Sequence, residues 1–204
     1  PVPVHHIRLP ISVLSSPTPY TKKQAGLPEG FVFLITFDFN SVMKRKNPVD
    51  VLASYTSAFG PDDGAHLVIK SINGHHQKAE LAKLRYLAAH RSDVIIQDGY
   101  LSAGLVQAQI ELSDCFVSLH RSEGYGLNIA AAMASGKPAI ATGYSGNMTF
   151  TSAQYPYLVP YELVPVGDNA HPYDPKAQWA QPNLTAAAHH MRSVFDDYSL
   201  ATKH

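Results

Sequence analysis

Between residues 31 and 143, five apolar, β-forming runs alternate with helix-forming segments, and this alternation leaves few folds open to the chain. FVFLITFDF (31–39) is continuously apolar, with β-branched and aromatic residues, as a strand buried on both faces requires. NPVDVLASYTSAFG follows, with Asn47 as N-cap, Pro48 at the first helical position and Asp50 in the first turn. Leu52, Tyr55 and Phe59 then share one helical face.

The unit recurs along the chain. AHLVIKSI (65–72) reads as a second strand, and QKAELAKLRYLAAHR (77–91) as a helix with Leu81, Leu84 and Ala88 on one side. DVIIQDG (93–99) is a third strand, followed by a helix that Ser102 caps, running to Leu112 with Leu105, Val106 and Ile110 inward. DCFVSLH (114–120), GLNIAAAMASG (126–136, ended by Gly136) and KPAIATG (137–143) give strand, helix, strand. Crossover helices between successive strands imply a mainly parallel sheet. The expected class is α/β: a Rossmann-like, doubly wound sheet of about six strands with helices on both faces.

After Phe150 the pattern weakens. YPYLVPYELVPV holds a short sixth strand, GDNAHPYDPKAQWAQP (167–182) reads as a long irregular loop, and a helix resumes near Leu184. At 204 residues the chain suits one main domain. Residues 31–204 are assigned to it and 1–30 to an extended lead-in; the opening PVPVHHIRLPI, without an initiator methionine, suggests a piece of something longer.

Lysine plus arginine equals aspartate plus glutamate at 16 each, so no global field draws the chain to nucleic acid or to an anionic membrane. Any phosphate site must be local. The single cysteine, Cys115, sits in an apolar run as a buried hydrophobe and excludes an intrachain disulfide, which fits a reducing, cytoplasmic setting. No apolar run approaches the roughly 18 residues of a membrane span.

In a doubly wound sheet, ligands bind beyond the carboxyl ends of the strands, so the loops after strands carry the chemistry. Lys44, Arg45 and Lys46 precede the helix at Asn47; they complete an anion site at its N-terminus or form a solvated basic turn. Lys70, ending the second strand, is expected at the same sheet edge as a further donor-binding cation, and two basic loops converging there favour a diphosphate. In HRSEGYG, Gly124 and Gly126 permit close backbone approach to a ligand, and Glu123 either accepts from sugar hydroxyls or answers a helix dipole. TGYSGN (142–147) supplies a second small, polar loop or an ordinary turn. The histidine pairs at 5–6, 75–76 and 189–190 have no metal-binding spacing, and adjacent histidines are expected to diverge, so no metal is expected.

Together, RKNP after the first strand, LVIKS on the second, DGYLS after the third and SEGYGLNIAAAMASGKPAIAT resemble the retaining family 4 (group 1) glycosyltransferases, from about Phe31 to Met191. The resemblance implies the C-terminal, donor-binding half of a GT-B enzyme that transfers a sugar from a nucleotide-sugar, such as a UDP- or GDP-sugar, to a glycan or lipid-linked acceptor. By position, Arg45 and Lys46 hold the donor diphosphate, and Gly99, Tyr100 and Leu101 border the base. Gly124, Tyr125, Gly126 and Leu127 present backbone N–H groups, and Glu123 takes a sugar hydroxyl as the catalytic-site carboxylate. The resemblance further implies retention of configuration, no metal or other cofactor, a role in polysaccharide biosynthesis, and room for peripheral membrane association of the full-length enzyme.

Two departures stand out. The acceptor-binding N-terminal half is absent from these residues, and Ala131 replaces the family's second glutamate, which binds ribose. A catalytically silent nucleotide-sugar-binding module and a GT-B nucleotide-sugar epimerase are therefore the alternatives.

Overall fold

The computed structural model describes Pro3 and residues 19–204; the rest of the PVPVHHIRLPI segment, with its 5–6 histidine pair, lies outside the described residues. Six parallel strands form the main sheet: β1 (Phe31–Asp38), β2 (Ala65–Ile72), β3 (Val94–Asp98), β4 (Cys115–Ser118), β5 (Ala139–Thr142) and β6 (Leu158–Val159). Their order is β3-β2-β1-β4-β5-β6, which puts the reversal of winding between β1 and β4. The expected Rossmann-like class and strand count are present.

Side chains on β1 alternate between two cores, as period-2 pleating demands. Phe33, Ile35 and Phe37 point to one core, shared with α2 (Pro48–Ala58), α3 (Lys78–Ala88) and α6 (Leu184–Asp196). Val32 and Leu34 point to the other, shared with α4 (Ala103–Leu112) and α5 (Leu127–Ala134). Leu52, Tyr55 and Phe59, and likewise Leu81, Leu84 and Ala88, are buried in the first core as their spacing requires. On α4 the buried face is Ala108, Gln109 and Ile110, whereas Leu105 and Val106 are only half-buried. Gln109 is admitted because its amide donates to the Ala25 carbonyl and to Gln97 Oε1, both at 2.8 Å.

Local chemistry departs from expectation in three places. Asn47 precedes α2 but does not cap it; it adopts a left-handed conformation, and its amide donates to Asp50 Oδ2 (2.8 Å) and to the Leu119 carbonyl (2.9 Å). The basic run before it is a short helical turn, α1 (Met43–Lys46), rather than a loop. The stretch expected as an irregular loop contains a strand, β8 (Gln178–Pro182), which pairs antiparallel with β7 (Tyr161–Pro165) in a two-stranded ribbon. A last short helix, α7 (Tyr198–Ala201), closes the chain against the first core.

Cys115 is fully buried, and desolvation pushes its thiol far above the ordinary range. It packs and does not react. Among the described residues no helix is long and apolar enough to cross a membrane.

Candidate functional site

The reversal between β1 and β4 brings the loop after β1 and the loop after β4 together, although 77 positions separate Lys46 from Glu123. The Lys46 ammonium donates to Glu123 Oε1, and Arg45 Nη1 stands 3.6 Å from Oε2 of the same carboxylate. Arg45 is fixed by Nε donating to the Ser41 carbonyl (3.0 Å) and Nη1 to the Ser122 carbonyl (2.7 Å). Three charged groups therefore meet at the sheet's carboxyl edge, each mostly buried. Their side-chain exposures are 12% for Arg45 and Glu123 and 19% for Lys46.

Beside them opens a cleft of about 340 Å³, lined by Thr36, Lys46, Ser118 and the run from Glu123 to Ile129. Gly126 starts α5 with φ +90°, a conformation that side chains resist, and so turns the helix N-terminus toward the cleft. The first N–H groups of α5 have no carbonyl one turn earlier to bond to and remain available to an anion. Asn128 Nδ2 donates to Thr36 Oγ1 at 2.7 Å, bridging the two sides of the cleft.

The loop after β5 supports this arrangement from behind. Ser145 Oγ accepts the Glu123 N–H (2.8 Å), and the Gly146 N–H donates to the Glu123 carbonyl (3.1 Å). Gly146 lies so close to the Gly124–Tyr125 peptide that an added Cβ would stand 2.2 Å from the Gly124 oxygen. Below, His120 is wholly buried: its Nε2–H points at the Tyr144 carbonyl and Asn147 Oδ1, both 3.1 Å away, so Nδ1 accepts from the Ser118 hydroxyl at 3.0 Å. Burial lowers its pKa, against upward pulls from the Tyr144 carbonyl and Glu123. The imidazole is a neutral strut joining the β4 and β5 loops.

Not all the residues singled out in the sequence converge here. Lys70 is buried at the end of β2, its ammonium donating to the carbonyls of Ser71 (2.7 Å) and Gly99, and burial lowers its pKa. It ties β2 to the Gly99 loop instead of joining Lys46. Gly99, with φ +145°, leads into Tyr100 and Leu101, which stand exposed after β3; the Tyr100 hydroxyl donates to Asn73 Oδ1 at 2.7 Å. Leu127 is exposed, Tyr125 packs on Phe150 with ring centroids 5.1 Å apart, and Ala131 is half-buried on α5. Thr36 and Asn128 enter as site-building residues that no spacing signal marked, while Ser145 and Gly146 come from the small, polar loop at 142–147.

A larger cleft, about 660 Å³, lies across α1, lined by Lys44, Asn47, Asp50, Glu80, Lys83 and Arg121 among others. Its charges are mixed, and Lys44, Asp50 and Arg121 are already paired within the protein. Among the described residues no cluster of three or more histidine, cysteine or carboxylate groups could hold a metal. His75 and His76 do not diverge; they sit on a 3-10 turn, which brings their rings within 4.0 Å.

Comparison with known proteins agrees with this architecture. The C-terminal domain of LpcC, a group 1 family glycosyl transferase from Francisella tularensis, superposes with a TM-score of 0.63 at 17% identity, covering 92% of this chain and 88% of that one. HepE of Anabaena, in complex with UDP and glucose, gives 0.63 at 12% identity over 89% of this chain and 43% of its own. A variant of S. aureus TarM, in complex with fondaparinux, α-GlcNAc-glycerol and UDP, gives 0.59 at 16% identity over 86% and 31%. The chain thus spans well under half the length of these last two proteins. No curated protein matches the sequence. Residues 34–159 match the family described as Glycosyl transferases group 1, a span that runs from within β1 to the end of β6 and includes every residue of the cleft at the winding reversal. The chain belongs to the glycosyl transferases group 1 family, and its fold is that of the C-terminal domain of these GT-B proteins.

Proposed function

We propose that this chain is the donor-binding half of a retaining glycosyltransferase that takes a sugar from a nucleotide-sugar and passes it to a glycan or lipid-linked acceptor. The acceptor is held by an N-terminal domain outside these residues. The observation that carries this reading is the meeting of Arg45, Lys46 and Glu123 at the cleft in front of α5. It puts two cations and free N–H groups where a diphosphate fits, next to a carboxylate able to accept from sugar hydroxyls.

In transfer, the bond between the anomeric carbon and the diphosphate oxygen breaks while the acceptor hydroxyl oxygen bonds to that carbon on the same face and passes its proton to the departing diphosphate oxygen. Charge grows on the departing diphosphate, and Arg45, Lys46 and the α5 N-terminus stabilise it. Glu123 orients the sugar, and the loop at Gly99, Tyr100 and Leu101 borders the base. The chemistry calls for no metal, since the protein's own cations meet the leaving group. Solved relatives bound to UDP support a nucleotide as the ligand class.

A second reading, a silent nucleotide-sugar-binding module, is favoured by one observation: Ala131 offers no acceptor to a ribose. A thermal-shift screen of UDP-, GDP- and ADP-sugars, with Lys46→Ala alongside, tests the main proposal. Stabilisation by one nucleotide class, lost in the variant, is expected, because a ligand that binds only the folded state raises its stability. No shift with any of them at millimolar concentration overturns the donor-site reading.

A further inference from the structure

The β7–β8 ribbon lies beyond the family-matched residues, yet it rests on the turn that carries Arg45 and Lys46. Trp179 on β8, the chain's only tryptophan, is buried in a cluster with Val166 and Ala170, and Val42, the residue that opens this turn, packs against that cluster. Val42 has φ +64°, a conformation that a β-branched residue holds only when its surroundings impose it. The surroundings on one side of Val42 are the small apolar cluster that contains Trp179.

Charge and hydrogen bonds reinforce the contact. The Lys44 ammonium and the Arg121 guanidinium lie 5.3 and 5.5 Å from the centre of the Trp179 ring. Lys44 also donates to the Val166 carbonyl at 2.8 Å. The Arg121 N–H donates to the Arg45 carbonyl at 2.8 Å, and the Arg121 carbonyl accepts from the Ala180 N–H at 2.9 Å, so the backbone of one residue joins the ribbon to the turn. Arg121 and Gln181 both donate to Asp50, at 3.3 and 3.1 Å. The indole N–H finds no acceptor among the described residues, which leaves the ring face as the part of Trp179 that interacts.

The turn is therefore gripped from two sides. Lys46 faces Glu123 in the smaller cleft, and Lys44 faces the ribbon beside the larger one. We infer that the ribbon, acting through Trp179, sets where Arg45 and Lys46 stand, making Trp179 a positioning residue for the diphosphate subsite. This rests on the donor-site reading above. By linkage, an anion bound at Arg45 and Lys46 must be felt at Trp179, and a change at Trp179 must be felt by the anion.

The 204-residue chain itself serves for the test, with inorganic pyrophosphate as the probe. Trp179→Leu, with circular dichroism and melting to establish folding, is expected to weaken pyrophosphate binding by about tenfold in calorimetry, the scale of a desolvated cation–π contact. Trp179→Phe, which keeps a ring face, is expected to stay within about threefold of the parent. In the parent, Trp179 emission should change on titration with the same midpoint as calorimetry. A folded Trp179→Leu of unchanged affinity, or emission that stays flat to saturation, overturns the inference. Should Trp179→Leu not fold, Lys44→Met removes one cation from the ring and is expected to weaken pyrophosphate by at least about threefold; unchanged affinity overturns the inference. If the parent does not bind pyrophosphate or any nucleoside diphosphate, the donor-site reading fails, and the coupling is judged without ligand. Glu123→Gln releases the turn on its far side, and acrylamide quenching of Trp179 should then rise about twofold. Unchanged quenching overturns the positioning role, and a rise sustains it.

Discussion

Lys46 and Glu123 are hydrogen-bonded to each other across the winding reversal, and Arg45 lies 3.6 Å from the second oxygen of that carboxylate. Glu123 and a diphosphate therefore compete for the same two cations. Glu123→Gln is expected to tighten inorganic pyrophosphate binding by about a decade, or ~1.4 kcal/mol, and to cancel whatever affinity the sugar adds to a nucleoside diphosphate. Calorimetry with pyrophosphate, UDP and UDP-glucose at fixed ionic strength measures both effects. Weaker pyrophosphate binding by the variant would contradict the competition.

Ala131 sits half-buried on α5, where its carbonyl accepts from the Ser135 N–H (3.0 Å) and hydroxyl (2.9 Å). On the proposed donor-site reading a carboxylate added here would supply an acceptor to the ribose, and a hydrogen bond to a charged group contributes roughly 1.5–3 kcal/mol. Ala131→Glu is expected to raise nucleotide affinity by about one to two decades. An equal affinity for parent and variant by titration would place the ribose elsewhere.

Gly146 has no room for a side chain: an added Cβ would lie 2.2, 2.4 and 2.6 Å from backbone atoms of Gly124 and Tyr125. The backbone must move, and the Glu123 loop moves with it. Gly146→Ala is expected to cost about 2–3 kcal/mol and lower Tm by roughly 5–10 °C. A melting curve that overlays the parent would refute the tight approach. Gly124→Ala is the matched control, since its added Cβ meets nothing within 4 Å.

Desolvation holds the pKa of His120 below the ordinary histidine value, and the half-buried His190 shifts the same way. In the unfolded chain both take up a proton near pH 6.5, while the folded protein resists until lower pH. The unfolded state thus binds more protons in that window, so stability is full above about pH 6.5 and declines as pH falls toward the folded values. Each histidine contributes at most ~1.4 kcal/mol per pH unit. Urea midpoints at pH 7.5, 6.5 and 5.5 should fall in that order, and less steeply for His120→Gln. A midpoint that rises on acidification would reverse the sign and refute the argument.

The parallel sheet was legible because its strands are buried on both faces: largely apolar, β-branched runs such as 31–38 and 65–72, each followed by a helical pattern, mark them. β8 escaped notice because Gln, Trp, Ala, Gln and Pro carry no alternation that marks a strand, and its partner β7 is largely exposed. Asn47 marks the helix boundary in the sequence, but its cap chemistry is not legible there, since only the fold brings the Leu119 carbonyl within reach of its amide. Lys70 was placed at the correct strand end, but residue order cannot tell a cation facing a cleft from one turned toward its own loop carbonyls. The convergence of Lys46 and Glu123 was readable only through strand order, because local spacing holds no information across 77 residues.

That separation also governs how the protein assembles. β1, β2 and β3 are sequential and adjacent, so each can pair soon after its predecessor. β4 must instead return past both of them to reach β1, and it meets it through only two residue pairs, Phe33 with Cys115 and Leu34 with Phe116. Closing a loop of 77 residues costs about 4 kcal/mol of chain entropy before any contact in the cleft forms. The half-sheet ending at β3 can therefore be native-like while the cleft does not exist. Ligand binding by a refolding chain then reports the late closure of β4 on β1, and helix and strand signals rise ahead of it.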